Sequence, residues 1–297
     1  MATDNALVLE GGGFRSMFDA GVLDVLQEQG IYDFDSVWGV SAGAIAAVSY
    51  KSRQIGRSMR IMLAFRDDRR FMSLWSFATT GNIAGADFMY DEVQNHLDPA
   101  RNDVFNENPL RMYAVATDVV LGKAAYLPVE HIPEDIEKVR ASASLPTVSR
   151  IVELDSGRYL DGGTTDAIPF EVALGINDAP QVEGHDPAKR ALVVLTRDRV
   201  YTKGSRNETI AIRSRRYVDF PRYLHALETR AANYNACRER LFALEAQPDS
   251  PVLVIAPERP VSIGVSERDG GRLLDLYLQG RQQTERRIEE IRSFLAG

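Results

Sequence analysis

The sequence predicts an α/β fold: a mostly parallel sheet with helices on both faces. Three observations carry that prediction. Near the N-terminus, short apolar runs alternate with helix-spaced stretches, in the order strand, helix, strand, helix. Both runs, Ala6-Leu7-Val8-Leu9 and Val37-Trp38-Gly39-Val40, are apolar throughout, as strands buried on both faces must be. Each run ends in a glycine cluster, the punctuation of a tight strand-to-helix joint.

The first strand stops at Gly11-Gly12-Gly13. Phe18, Val22, Val25 and Leu26 then fall on one helical face, with Gly30 as the C-cap. The second strand occupies residues 35–40 and leads into a small-residue helix from Ala42. Residues 54–110 read as helical and irregular, punctuated by Gly81 and Gly85. Strands follow at 111–117 and 123–128, around Leu121-Gly122. A helix is expected from near Pro133 to Pro146. A hairpin spans 151–154 and 158–160 across Asp155-Ser156-Gly157, with further strands at 191–196 and 251–255. Helices fill 207–247 and 270–295. No repeat or linker interrupts the chain, so residues 1–297 are expected to form one domain. A core at 5–200 would carry a mainly helical extension, 201–297, packed on it.

With 44% hydrophobic and 26% charged residues, the composition is that of an ordinary globular protein. A net charge of −7 argues against general affinity for nucleic acid or anionic membrane, though it does not exclude a local basic patch. The single cysteine, Cys237, excludes an internal disulfide framework and a multi-cysteine zinc site. The opening Met1-Ala2-Thr3-Asp4-Asn5 lacks a basic n-region, and no apolar run approaches the ~18 residues of a membrane span. A cytoplasmic location is therefore expected.

Gly39-X-Ser41-X-Gly43, between a strand and a helix, is the pattern of a nucleophile elbow: side chains flanking so tight a turn would clash, hence the bracketing glycines. The alternative is a close-packed turn with no chemistry. Gly11-Gly12-Gly13-Phe14-Arg15 bares backbone N–H groups that suit an oxyanion or a phosphate. A dinucleotide fingerprint fits less well, because the second strand ends in Gly39 and Ser41 rather than an acidic residue. Asp161-Gly162-Gly163 puts a carboxylate at the end of a strand, or is an ordinary Asp-Gly turn.

A serine hydrolase ordinarily needs a histidine. Of the four present, His96, His131, His185 and His225, none follows a strand in a glycine-flanked loop. With Asp161 as acid, the order Ser…Asp…His leaves His185 or His225. Metal-ligand spacing is absent, although Asp155, Asp161 and Asp166 lie close in sequence. Arg213, Arg215, Arg216 and Arg222 form a basic stretch that is either a solvated helix face or a contact for an anionic headgroup. The long apolar side chains Met59, Met62, Leu63, Phe65, Phe71, Met72, Leu74, Trp75 and Phe77 are either core or a lid over a lipid site.

Together the three motifs resemble the patatin-like phospholipases. Ala116-Thr117-Asp118 with Gly122-Lys123, and Arg140-Ala141-Ser142-Ala143-Ser144-Leu145-Pro146, add to the likeness, which covers roughly residues 5–200. Two positions depart from the family pattern: Glu10 stands where Asp is usual, and Ser16 where Gly is usual. The resemblance implies a three-layer α/β/α fold and a serine acyl hydrolase that cleaves fatty acyl esters of phospholipids or lysophospholipids. It implies a dyad of Ser41 as nucleophile and Asp161 as general base, without histidine. Gly11, Gly12 and Gly13 would line the oxyanion hole, supported by Arg15, Gly39, Gly43, Gly162 and Gly163. Such a site needs neither calcium nor an organic cofactor. Its expected partners are a lipid or acyl-ester substrate and a transient membrane surface, with no nucleic acid. A free aspartate, with a pKa near ~3.9, is a poor base for a serine hydroxyl, so Asp161 would need partial desolvation. A carboxylesterase or thioesterase with a histidine triad, and a non-enzymatic lipid-binding protein, are the competing readings.

Overall fold

The computed structural model describes residues 4–264 and 267–297; Met1, Ala2 and Thr3, part of the opening segment weighed above, lie outside the described residues. The strands are β1 (Asn5–Leu9), β2 (Ser36–Val40), β3 (Arg111–Asp118), β4 (Lys123–Pro128), β5 (Val152–Leu154), β6 (Gly157–Asp161), β7 (Arg190–Val194) and β8 (Val252–Ile255). All belong to one sheet. Its body, β3-β2-β1-β7-β8, is parallel, while β4 and β6 pair antiparallel with β3 and β5 with β6.

The helices are α1 (Met17–Glu28), α2 (Ala42–Lys51), α3 (Arg57–Phe65), α4 (Leu74–Thr80), α5 (Asn102–Glu107), α6 (Ile136–Ser142), α7 (Phe170–Leu174), α8 (Arg206–Arg213), α9 (Pro221–Glu245), α10 (Gly270–Arg286) and α11 (Ile288–Ala296). Successive side chains of a strand point to opposite faces, and β1 shows how this makes three layers. Leu7 and Leu9 enter a core with Val22 and Leu26 of α1, Ala47 of α2 and Leu276 of α10. Ala6 and Val8 enter a second core with Phe170 of α7 and Tyr234 and Leu241 of α9. Each fully buried Leu or Phe contributes about 1.5–3 kcal/mol relative to exposure. The expected three-layer arrangement, with a helical C-terminal region, is the one observed.

The last hundred residues are bound into this frame. Helices α1 and α10 cross so closely that a Cβ on Gly21 would lie 2.1 Å from the Tyr277 carbonyl oxygen, and one on Gly280 would lie 2.3 Å from that of Phe18. Strand β8 also comes from this region and lengthens the sheet beyond β7.

One helix expectation needs correction. The helix expected from Pro133 to Pro146 is confined to Ile136–Ser142. Before it, the Asp135 carboxylate accepts from the N–H groups of Glu130 and His131 and holds a turn; after it, Thr147 takes a positive φ of 67°. The helices expected over 207–247 are α8 and α9, separated where Arg215 turns the chain at φ 56° and Pro221 opens a new first turn. Among the described residues no helix is long and apolar enough to cross a membrane.

Candidate active site

Ser41 joins β2 to α2 with φ 54° and ψ −123°, a conformation that costs a non-glycine residue about 1–3 kcal/mol. The surroundings hold it there. Its N–H donates to Ser142 Oγ (2.9 Å), and that hydroxyl donates to the Val115 carbonyl (2.6 Å). Its own carbonyl accepts from Ala44 N–H at 2.9 Å, starting the helix. A Cβ on Gly39 would lie 2.5 Å from Ala44 Cα, and one on Gly43 would lie 2.6 Å from the Leu9 carbonyl oxygen. Side chains at either position would push α2 off the sheet.

Sheet register brings Asp161 to the serine. Val40 pairs with Val115, and Asp161 pairs with Ala116, the next residue of β3. Strand β4 occupies the other edge of β3 over residues 113–118, so β2 and β6 share one edge and meet end to end. The chain then turns away through Gly162, where a Cβ would lie 2.0 Å from the Val115 carbonyl oxygen.

The Asp161 side chain is almost fully enclosed, at 2% exposure. Its Oδ1 accepts from Gly163 N–H at 2.8 Å. Its buried Oδ2 has no hydrogen bond of ordinary geometry, and Ser41 is the hydroxyl that acts on the carboxylate. Burial raises the Asp161 pKa above the usual carboxylate value. Arg230, the Ser41 hydroxyl, the Gly163 N–H and Lys203 pull it down without cancelling that effect.

The glycine run passes directly beside this pair. A Cβ on Gly11 would lie 2.7 Å from Ser41 Cβ, and one on Gly12 would lie 2.7 Å from Thr196 Oγ1. Gly13 takes a φ of 56°. Among the described residues, the N–H groups of Gly11, Gly12 and Gly13 find no acceptor. Glu10 anchors the run: its buried carboxylate accepts from Thr196 N–H at 2.7 Å and from the Tyr234 hydroxyl of α9.

Ser41, Asp161, the three glycines and Arg15 line a cleft of about 510 Å³. Part of its wall is apolar, formed by Met72, Ile83, Leu145, Val148, Ile210 and Leu227. A larger cavity of about 750 Å³ adjoins it and shares Gly163, Ala167, Arg230 and Tyr234. It contains neither Ser41 nor the glycine run, so size does not locate the chemistry here.

None of the four histidines lines the cleft. His185 packs its ring edge-on to Trp38 and Tyr113, and burial lowers its pKa. His225 borders the adjoining cavity, with its side chain 75% exposed. Asp166 accepts from the Tyr126 hydroxyl in that same cavity, apart from Ser41. Of the apolar stretch weighed as a lid, Met59, Met62, Leu63, Phe65, Phe71 and Met72 pack on the core. Among the described side chains named there, Met72 alone reaches the cleft; Trp75 is exposed, and the Leu74 side chain lies outside the described residues. Arg213, Arg215, Arg216 and Arg222 do not line the cleft; its cations are Arg15, Arg197, Lys203 and Arg230. Ser142 could have been singled out within the stretch 140–146. Nothing local marks Arg197, Lys203 or Arg230, which the tertiary fold delivers.

A family model described as patatin-like phospholipase matches residues 7–174, and a domain of unknown function (DUF6363) matches residues 220–296. The chain is similar to the uncharacterized protein YjjU of Escherichia coli K12, with 30% identity over 181 residues, covering 57% of this chain and 48% of that protein. It is also similar to the uncharacterized NTE family protein Mb1092c of Mycobacterium bovis, with 27% identity over 172 residues, covering 58% of this chain and 46% of that protein. The chain thus spans about half the length of the curated relatives it matches. The crystal structure of VipD from Legionella pneumophila aligns with a TM-score of 0.46 and 13% identity, over 96% of this chain and 67% of that one. The family match takes in the glycine run, the elbow serine and the Asp-Gly-Gly turn, over more than half of the residues: the chain belongs to the patatin-like phospholipase family.

Proposed function

We propose that the protein is a serine acyl hydrolase that cleaves fatty acyl esters of phospholipids or lysophospholipids through a Ser41–Asp161 dyad. The observation that carries the reading is the pairing of a backbone-strained serine with a buried carboxylate whose Oδ2 lacks another partner. Ser41 Oγ attacks the ester carbonyl while Asp161 takes its proton. The tetrahedral oxyanion is held by N–H groups of Gly11, Gly12 and Gly13. Collapse expels the alcohol, which takes the proton back from Asp161 and leaves an acyl-serine. Water, deprotonated by Asp161, then releases the fatty acid and restores Ser41. Desolvation gives the carboxylate the basicity this role requires. The reading includes a cytoplasmic location and a transient contact with the membrane surface from which substrate is drawn.

The test is hydrolysis of p-nitrophenyl acyl esters of graded chain length, with fluorophosphonate labelling. Wild type should turn over and label at Ser41, and Ser41→Ala should do neither. His185→Ala and His225→Ala should retain activity; its loss in either would favour a histidine triad. Lipid binding without turnover or labelling would favour a non-enzymatic binding protein.

A further inference from the structure

Four large apolar side chains stand in solvent, each 49–61% exposed: Val120 and Leu121 in the turn between β3 and β4, Ile210 on α8, and Val218 between α8 and α9. One small core underlies all four segments. Val119, Ala211, Tyr217, Tyr223 and Leu227 pack together beneath the β3–β4 turn, α8, the connection to α9 and the start of α9. The turn is fixed from both sides. Asp118 Oδ1 accepts from the Val120 and Leu121 N–H groups at 2.8 and 2.9 Å, and a Cβ on Gly122 would lie 2.4 Å from the Arg222 carbonyl oxygen. The shelf so formed borders the mouth of the cleft. Ile210, Ala211 and Leu227 belong to the cleft wall, as does Thr147. Thr147 N–H donates to the Tyr217 hydroxyl (2.7 Å), and Arg216 Nη1 donates to the Thr147 carbonyl (2.5 Å).

Charge on the shelf is opposite in sign to that of the chain. The whole carries −7, yet residues 206–222 hold five arginines against two acids. Of the acids, Glu208 is buried and paired with Arg230, which leaves Asp219. Arg213, Arg215, Arg216 and Arg222 are all exposed, and among the described residues none of them has a carboxylate within ion-pair distance. A nucleic-acid backbone would answer the charge alone. A bilayer surface with anionic headgroups answers both the arginines and the aliphatic side chains between them.

We infer that this shelf docks the protein on a bilayer carrying anionic lipid, with the arginines at the headgroups and Val120, Leu121 and Val218 entering the interfacial zone. The membrane contact thereby acquires a place and a required charge, against the sign of the whole chain. It holds whether or not Ser41 performs hydrolysis.

The experiment is co-sedimentation of the full chain with phosphatidylcholine vesicles, alone or containing phosphatidylglycerol. Binding should require phosphatidylglycerol and weaken with added salt. Arg213→Gln with Arg222→Gln should lower the partition coefficient by about fivefold per arginine. Leu121→Ser with Val218→Ser should lower it as well, and should do so at low salt. None of these four residues lines the cleft, so turnover of a soluble p-nitrophenyl ester should be unchanged, with melting curves confirming that each variant folds. Ser41→Ala should bind vesicles as wild type does, which separates the shelf from the hydrolase reading. Equal binding to both vesicles or to neither, or binding unchanged in the arginine variant, overturns the proposal even where Ser41-dependent hydrolysis is intact. Capture by heparin that ignores Leu121→Ser and Val218→Ser, without capture by vesicles, overturns the bilayer assignment.

Discussion

Ser41 and Asp161 face each other where β2 and β6, approaching from opposite directions, end against the same edge of β3. Val40 opposite Val115 and Asp161 opposite Ala116 leave no residue of β3 unpaired between them. The distance between the Ser41 hydroxyl and the Asp161 carboxylate is therefore set by sheet register, a rigid quantity, rather than by loop conformation.

Substituting Asp161 should separate stability from activity. Burial raises its pKa above the unfolded value, so the native state binds its proton more tightly than the unfolded state does. That contribution to stability is complete below the unfolded pKa and is lost as pH rises through the native one. Asp161→Asn should thus melt higher than wild type at pH 7–8, by on the order of 1 kcal/mol, with the gap closing on acidification. Turnover should fall by about 10²–10⁴-fold. Wild-type kcat should decline as acid protonates the carboxylate.

Ser142 bridges the Ser41 N–H and the Val115 carbonyl, both buried. Ser142→Ala should cost about 1–3 kcal/mol in urea unfolding, since both groups lose their partner. Because the bridge also holds the strained φ of Ser41, kcat on a soluble ester should drop further than that of a variant equally destabilised at a distant core position.

Glu10 stands where the family pattern has Asp. Its longer side chain reaches both Thr196 and Tyr234. Tyr234→Phe should destabilise by about 1–3 kcal/mol, leaving a buried carboxylate oxygen short of a donor. It should also lower kcat more than it raises KM, since the glycine N–H groups it steadies are proposed to act on the transition state.

The Arg230–Glu208 pair, at 3.1 Å, is largely buried, and Arg230 Nε also donates to the Gly163 carbonyl. Arg230→Met strands the Glu208 charge and should cost about 3–5 kcal/mol. Adding Glu208→Gln should recover much of that loss in a double-mutant cycle measured by denaturation.

Much of this was legible in the sequence because local rules govern it. Apolar runs marked β1 and β2, glycines marked the joints, and the serine stood in a recognisable turn. The helix limits at 136–142 were not legible. The turn held by the Asp135 carboxylate before it and the positive φ at Thr147 after it set them, and neither has a strong composition signal. The dyad was legible as separate pieces but not as a contact, since 120 residues separate Ser41 from Asp161 and only register joins them. Arg197 and Lys203 were invisible because only the folded chain brings them to the cleft.

The Glu10–Tyr234 contact joins residues 224 apart, and Asn5 Nδ2 donates to the Leu295 carbonyl across 290. In order of synthesis, the first strand therefore waits for the final helices before its glycine loop is secured. A chain arrested on the ribosome near residue 200 already carries Ser41 and Asp161 but lacks Tyr234. Such a nascent chain should resist fluorophosphonate labelling where the finished one reacts. The proposed Ser41–Asp161 dyad would then become reactive only once α9 has been added.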